Sequence, residues 1–389
     1  MNINNKQNTE TCSKGGGMEF KIDKETFLRA LQKVQGIVEK RNTMPILSNV
    51  LIEATADTIF LTATDLEVGM KSSYPTSVVK EGKITVSAKK IYEIIKELAD
   101  EEIIFSTKEN DWVEISCGKA HFNIVGLSPE EFPYFPKINE ELFVKINSSL
   151  IREMIDKTSY AICHDETKYN LNGIFIKAQL EDNRQILRMV ATDGHRLSIA
   201  EKEFTGKIDN ELQKGVIFPK KGVFELKKMT EEEEDDIMIC FLDNNAVIKK
   251  GNTFVVMRLV DGDFPDYTRV MPVNNDKVIK INREIFFHSL RRMSILSSEK
   301  FKGIKFDIKS GKMEISASNP ELGEAREEID LDYAGEPLTV RFNARYLIDV
   351  LSVLEDEFVE MDLRDELSPA IMRPAASTDF RSVIMPMRL

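Results

Sequence analysis

Cysteine is scarce and never clustered: Cys12, Cys117, Cys163 and Cys240 are the only four in 389 residues, and no CxxC pair occurs. That spacing excludes a disulfide framework and a zinc knuckle. The four histidines, His121, His164, His195 and His288, are equally scattered, with no HExxH or other ligand spacing, so neither a metal nor a cofactor is expected. A GxxxxGK[ST] phosphate loop is also missing, so the chain is not expected to be an ATPase. No apolar run approaches the roughly 18 residues of a membrane span, and the start lacks a secretory signal. A cytoplasmic protein without a membrane partner is expected. With one Trp and eight Tyr, the chain is poorly equipped to stack single-stranded bases.

What remains is ordinary globular composition, 42% apolar and 30% charged, at a length that allows two or three domains. The net charge of −12 by itself argues against a surface that binds nucleic acid everywhere. Screening over roughly 8 Å lets a local basic surface attract phosphate on an acidic molecule, so the placement of charge matters more than its total. Residues 1–17 are polar, lack periodicity and end in three glycines, which predicts a flexible extension before a domain start at Met18.

Self-similarity is the strongest internal signal. Leu47-Ser48-Asn49-Val50-Leu51-Ile52, followed by Ile59 to Asp65, is answered by Leu171-Asn172-Gly173-Ile174-Phe175-Ile176 with Leu187 to Asp193, and by Phe301-Lys302-Gly303-Ile304-Lys305-Phe306 with Met313 to Asn319. Asn49, Gly173 and Gly303 lie 124 and 130 residues apart, and Asp65, Asp193 and Asn319 follow them by 16, 20 and 16. Further on, Ser87 to Ile94 matches Pro219 to Leu226 and, more faintly, Asn343 to Val350, while Phe132-Pro133 answers Phe264-Pro265.

Runs rich in Val, Ile, Phe and Thr between Gly, Asn and Asp read as strands and hairpins. Two stretches per repeat have helical spacing instead, such as Phe27, Leu28, Leu31 and Val34, then Ile91, Ile94, Ile95 and Leu98. The expected fold class is α+β: three tandem domains at 18–140, 141–272 and 273–389, each an antiparallel sheet assembly with two helices on one face. End strands without partners invite head-to-tail association, which gives a ring when the rotation closes.

Basic residues recur on the faces of the predicted helices that lie opposite their apolar stripes. They are Arg29 and Lys33; Lys89, Lys90 and Lys96; Arg152; Lys220, Lys221, Lys227 and Lys228; and Arg291 and Arg292, with only Arg345 on the sixth helix. On any one helix such residues are ordinary solvation. Their recurrence over five of six helices predicts a surface that tracks phosphates without reading bases.

From Met18 to Leu389 the chain resembles the bacterial DNA polymerase III β subunit. The resemblance is carried by TMPILSN (43–49), TDGHRL (192–197), LVDGDFPDY (259–267), ILSSEKFKG (295–303) and MPMRL (385–389). It implies a non-catalytic sliding clamp: three tandem DNA-clamp domains with sheets outside and helices inside, closed as a head-to-tail homodimeric ring around duplex DNA. The implied partners are the replicative polymerase α subunit, a clamp loader and other clamp-binding-motif proteins of replication and repair. The resemblance places a partner-peptide cleft at Leu171, Thr192, Gly194, His195, Arg196, Leu197, Pro265, Arg269, Val270, Asn343, Tyr346, Val383, Ile384, Met385, Pro386, Met387 and Arg388. Methionine adapts to varied side chains, and Arg196 and Arg388 are expected to hold polar groups at the rim.

The resemblance also implies a dimer contact between Phe122 and Ile124 at one end and Ile295 and Leu296 at the other, ringed by Lys90, Glu321, Glu324 and Glu327. Phe122 and Ile124 read equally well as core. Arg41 and Tyr169 match DNA-facing loop positions, whereas Asp165 and Asn170 depart from the glutamine and tyrosine of well-known relatives, and Arg326 interrupts the acidic end of the third repeat. Asp193 and His195 also suggest an acid–base pair for a hydrolase. No nucleophile motif accompanies them, and the related turns at Asp65 and Asn319 carry no histidine.

Overall fold

The computed structural model describes residues 17–38, 44–136, 138, 143–206, 208–231, 236–297 and 303–388. Seven helices lie among them: α1 (Lys24–Val34), α2 (Ala88–Glu97), α3 (Ser148–Ser159), α4 (Asn210–Lys214), α5 (Lys220–Glu231), α6 (Arg283–Ser294) and α7 (Ala344–Ser352). Two compact units are present, one of residues 1–138 with 251–255 and one of 139–250 with 256–389.

The element order is one motif used repeatedly: a leading strand, a helix, then three antiparallel strands. In the third repeat it reads Lys277–Asn282, α6, Gly303–Lys309, Lys312–Asn319 and Gly323–Asp330, then Leu338–Asn343, α7, Phe358–Leu363, Ala370–Pro374 and Phe380–Ile384. Each half lends its leading strand to the sheet of the other, so Leu338–Asn343 pairs with Gly303–Lys309 and Lys277–Asn282 pairs with Phe358–Leu363. Each of these sheets therefore draws strands from both halves of its repeat.

The positions that align in sequence occupy one structural site. Asn49 pairs with Ser87, Gly173 with Pro219 and Gly303 with Asn343, the partners standing just ahead of α2, α5 and α7. The first helices start alike: Asp23, Asn147 and Asn282 accept hydrogen bonds from the backbone N–H groups of Thr26, Leu150 and Ile285. Such caps satisfy donors that have no partner inside the helix. The hairpin at Asp182 and Asn183 has φ of 47° and 64°, the paired left-handed turn that matches strand twist and suits these two residue types.

Helices pack in pairs against the sheets, α1 with α2, α3 with α5 and α6 with α7. In the first unit Phe27 of α1 meets Phe20 and Phe105, whose rings stack at 4.8 Å. In the third repeat Phe286 of α6 meets Phe306, which meets Phe342, at 6.1 and 5.9 Å. These rings are fully buried. Each contributes on the order of 1.5–3 kcal/mol against leaving it exposed, so a line of aromatics anchors the helix pairs of the first and third repeats.

Within the second unit the second and third repeats share one eight-stranded sheet, because Arg196–Glu203 pairs with Phe380–Ile384. Beneath that seam the Tyr160 hydroxyl lies 3.1 Å from both Ser198 Oγ and Ser382 Oγ.

Candidate functional site

The turn Thr192–Arg196 is built by its own side chains. Thr192 Oγ1 accepts the Gly194 N–H at 3.1 Å and donates to the Arg196 carbonyl at 2.6 Å. Asp193 Oδ1 accepts the His195 and Arg196 N–H groups at 2.9 and 3.0 Å, and Gly194 takes φ of 91°. Thr64 and Asp65 accept from Leu66, Glu67 and Val68 in the same pattern, and Asn319 accepts from Glu321. Both Asp193 oxygens are engaged inside the turn, Oδ2 by Arg196 Nε at 3.1 Å. Asp193 is therefore a turn-former, not a base aimed at His195.

Arg196 corrects the expectation of a rim group. Its side chain is 7% exposed, with Nη1 donating to Asp349 Oδ2 at 2.6 Å and Nη2 to the Tyr160 carbonyl at 2.5 Å. The guanidinium lies 5.2 and 4.6 Å from the ring centroids of Tyr160 and Tyr346. It ties the turn to the end of α3 and to α7, leaving Arg388 as the exposed arginine of the expected pair.

Beside this turn lies an apolar floor on the sheet face away from the helices. Val190, Leu197, Ile199 and Val383 are buried there, with Phe175, Phe264, Tyr267, Met271 and Ile371 packed against them half-covered. Phe175 and Phe264 stack at 5.1 Å. These five outer residues were not anticipated; the available signal was strand alternation, which puts Phe175 on the same face as Val190, its cross-strand partner. Alternation also moves Ile384 away from the expected lining: it is fully buried in the core of the third repeat, while Val383 faces the floor.

The walls come from the chain end and two loops. Met385 N–H donates to the His195 carbonyl at 3.0 Å and Met387 N–H to the Arg341 carbonyl at 2.8 Å, which fixes the segment between the two repeats. His195, Met385, Arg388, Pro265, Arg269 and Val270 are exposed, while Leu171, Thr192, Tyr346, Pro386 and Met387 are half-buried. Asn343 instead caps α7 through Arg345 N–H at 3.0 Å. The result is a surface that offers apolar contact and sulfur to a ligand, bordered by few polar groups.

The basic helix faces carry acids as well. Lys89 and Lys90 meet Glu93, Arg29 meets Glu25, Lys227 meets Asp156 at 2.6 Å and Lys228 meets the buried Glu225 at 2.6 Å. Arg292 grips Glu327 with two nitrogens, and Arg291 lies 5.7 Å from the Phe287 ring. Lys220 donates to His164 Nδ1 at 2.6 Å, while burial and the neighbouring Lys220, Arg345 and Arg196 hold that imidazole below its ordinary pKa. Lys33 and Lys221 sit on α1 and α5, half-buried; Lys96 and Arg152 lie on α2 and α3 with no carboxylate partner among the described residues.

Tyr169 is 62% exposed beside Gly262. Asp165 caps a turn through Thr167, and Asn170 donates to the Asp263 carbonyl at 3.3 Å. Arg41 lies outside the described residues.

Phe122 and Ile295 are 38% and 74% exposed, with Ile124 and Leu296 half-covered, so the core reading of Phe122 does not hold within one chain. Around Ile295, a cavity of about 370 Å³ is lined by Ser294, Ser297, Leu322, Arg345 and Ile348 among others. Lys90 is bound to Glu93, Glu327 to Arg292 and Glu324 to Arg326; Glu321 is exposed. No group of ligands able to hold a metal occurs among the described residues, and no helix there is long and apolar enough to cross a membrane.

Models of the N-terminal, central and C-terminal domains of the DNA polymerase III beta subunit match residues 18–136, 145–266 and 268–388. The beta sliding clamps of Pseudomonas putida and Pseudomonas aeruginosa are 36% and 37% identical, over 96% of this chain and 100% of each relative. A Caulobacter crescentus beta sliding clamp, solved with polyethylene glycol at a putative beta-motif tethering region, superposes with TM-score 0.91 at 32% identity, over 96% of this chain and 100% of that one. The Bartonella birtlesii sliding clamp bound to griselimycin does so at 0.90 and 35%, with the same coverage. With the three domain models matched in order and whole-length relatives above 30% identity, the chain belongs to the DNA polymerase III β-subunit family, the non-catalytic DNA sliding clamps of replication.

Proposed function

We propose that two copies of this chain close head to tail into a ring around duplex DNA and that short peptides of the replicative polymerase α subunit, the clamp loader and repair proteins compete for the cleft at Leu197, Val383 and Met385. The observation that carries the ring is a pair of open strand edges at equivalent places. Where the second and third repeats join, the third strand of one half pairs with the third strand of another, Arg196–Glu203 with Phe380–Ile384. Ala120–Leu127 and Gly323–Asp330 are also third strands. Among the described residues, the first pairs on one side only at Gly126 and Leu127, and the second ends its sheet. Open edges seek partners, and a second copy supplies the matching one, bringing Phe122 and Ile124 to Ile295 and Leu296.

In this reading the domains span 18–140, 141–272 and 273–389. The cations of α1, α2, α3, α5 and α6, with Arg41 and Tyr169, face phosphates loosely in any sequence. Neighbouring carboxylates temper their grip, and topology supplies the retention. Affinity then falls with salt while the closed ring stays on its DNA. The protein works in the cytoplasm, takes no cofactor and is opened by an ATP-driven loader, since it has no phosphate loop of its own.

Griselimycin, with which related clamps have been solved, serves as the test ligand for the proposed cleft. The ring is tested by loading the chain onto closed circular DNA with its loader and ATP, then cutting the circle once. Retention on the circle with escape after cutting is expected; equal retention on both rules the ring out.

A further inference from the structure

We infer that Arg196 is a positioning residue, which holds the shape of the peptide cleft from below through Asp349 and does not itself touch the ligand. The inference rests on the cleft reading above.

Four observations carry it. The guanidinium is 7% exposed and its three nitrogens donate to Asp193, Asp349 and the Tyr160 carbonyl, between two tyrosine rings, so little of it is left to meet a ligand. Its acceptors come from three places: the cleft turn, α7 of the third repeat and the end of α3. Its backbone is continuous with the walls, since Arg196 pairs with Ile384 and the preceding His195 carbonyl accepts from Met385. Finally, the matching residue of the first repeat is Val68, in a turn with the same hydrogen bonds, so the arginine is not required to form the turn. It is present where two repeats share a sheet and a cleft opens beside the seam.

Asp349 is the lever for a test because it lies on α7, 26% exposed, and its hydrogen bond to the cleft turn runs through this guanidinium; its other ion-pair neighbour, Arg345 Nε, stands farther off at 3.9 Å. A planar fork with three fixed acceptors and two aromatic neighbours is not reproduced by lysine.

Griselimycin is titrated calorimetrically into the full chain, into Arg196→Ala, Arg196→Lys and Asp349→Ala, into the double variant, and into a chain lacking Met387–Leu389. Methyl spectra of methionine-labelled protein are recorded without ligand. Asp349→Ala is expected to weaken binding by about fivefold or more, the low end of site-to-site coupling, and to shift the Met385 methyl before ligand is added. The double variant should be scarcely weaker than Arg196→Ala alone, since both remove one interaction, and Arg196→Lys should not rescue. Thermal melts identify variants that unfold; if Arg196→Ala does, Asp349→Asn replaces it in the comparison.

Wild-type affinity in Asp349→Ala beside a large loss in Arg196→Ala means direct contact and overturns the inference, as does wild-type affinity in Arg196→Ala. Normal binding by the truncated chain has a different signature: it removes the cleft reading, and the inference falls with it.

Discussion

The Met387 sulfur stands 3.3 Å from the point that a Cβ on Gly303 would occupy, so one missing side chain in the third repeat makes room for the Met387 thioether. At the matching Gly173 the same added carbon would lie 2.1 Å from the Phe218 carbonyl oxygen. The two glycines align in sequence, yet one faces a flexible thioether and the other faces backbone. Gly303→Val should displace Met387 and weaken griselimycin binding several-fold with little change in melting temperature. Gly173→Ala should cost about 1–3 kcal/mol, as overpacking does, in urea unfolding.

Phe122→Ala with Leu296→Ala removes apolar packing from both sides of the proposed ring closure. Light scattering at low protein concentration should show monomer mass where the parent gives dimer. A dimer undiminished by the pair of changes would move the interface elsewhere.

Burial pushes the Tyr160 hydroxyl from 10.0 up to about 12, against the opposing pull of Ser198, Ser382 and Arg196. A phenol raised in the fold contributes stability that is whole below pH 10.0 and is lost as pH climbs toward about 12. Urea unfolding between about pH 8 and about pH 11 should show that loss in the parent and a flatter profile in Tyr160→Phe. At neutral pH the substitution should cost about 1 kcal/mol for the lost hydrogen bonds.

Burial raises the Glu153 carboxyl, but hydrogen bonds from Lys157 and Lys202 outweigh it and hold the group below 4.5. A depressed carboxylate contributes stability above its unfolded pKa and loses it as pH falls through the folded one. Glu153→Gln should therefore be less stable than the parent at neutral pH, by no more than about 1 kcal/mol because a partly exposed pair is screened. The difference should close in acid, well below pH 4.5, when unfolding is followed by circular dichroism.

The repeat was legible because each copy must solve the same local problems. Asp65, Asp193 and Asn319 recur since a side-chain oxygen at that point satisfies the next N–H groups; the helix caps Asp23, Asn147 and Asn282, which were not read from the sequence, follow the same local logic. The cleft was legible only as a set of motif positions. That set did not include Phe175, Phe264 and Tyr267, which pack on the apolar floor, and it included Ile384, which is buried in the core of the third repeat, because the face a residue takes depends on which strand edge meets which.

By itself, the sequence determined three α+β repeats, their strand and helix order, the caps and the tight turns, all of which are set by interactions within a few residues. Tertiary structure alone decided that each half-repeat gives its first strand to the other, that helix cations are tempered by carboxylates such as Asp156 and Glu327, and that Arg196 is held by Asp349, 153 positions away. Pairings of that kind leave no periodic trace along the chain: they come into being only when burial brings distant charges together and removes the water that would otherwise have satisfied each one separately.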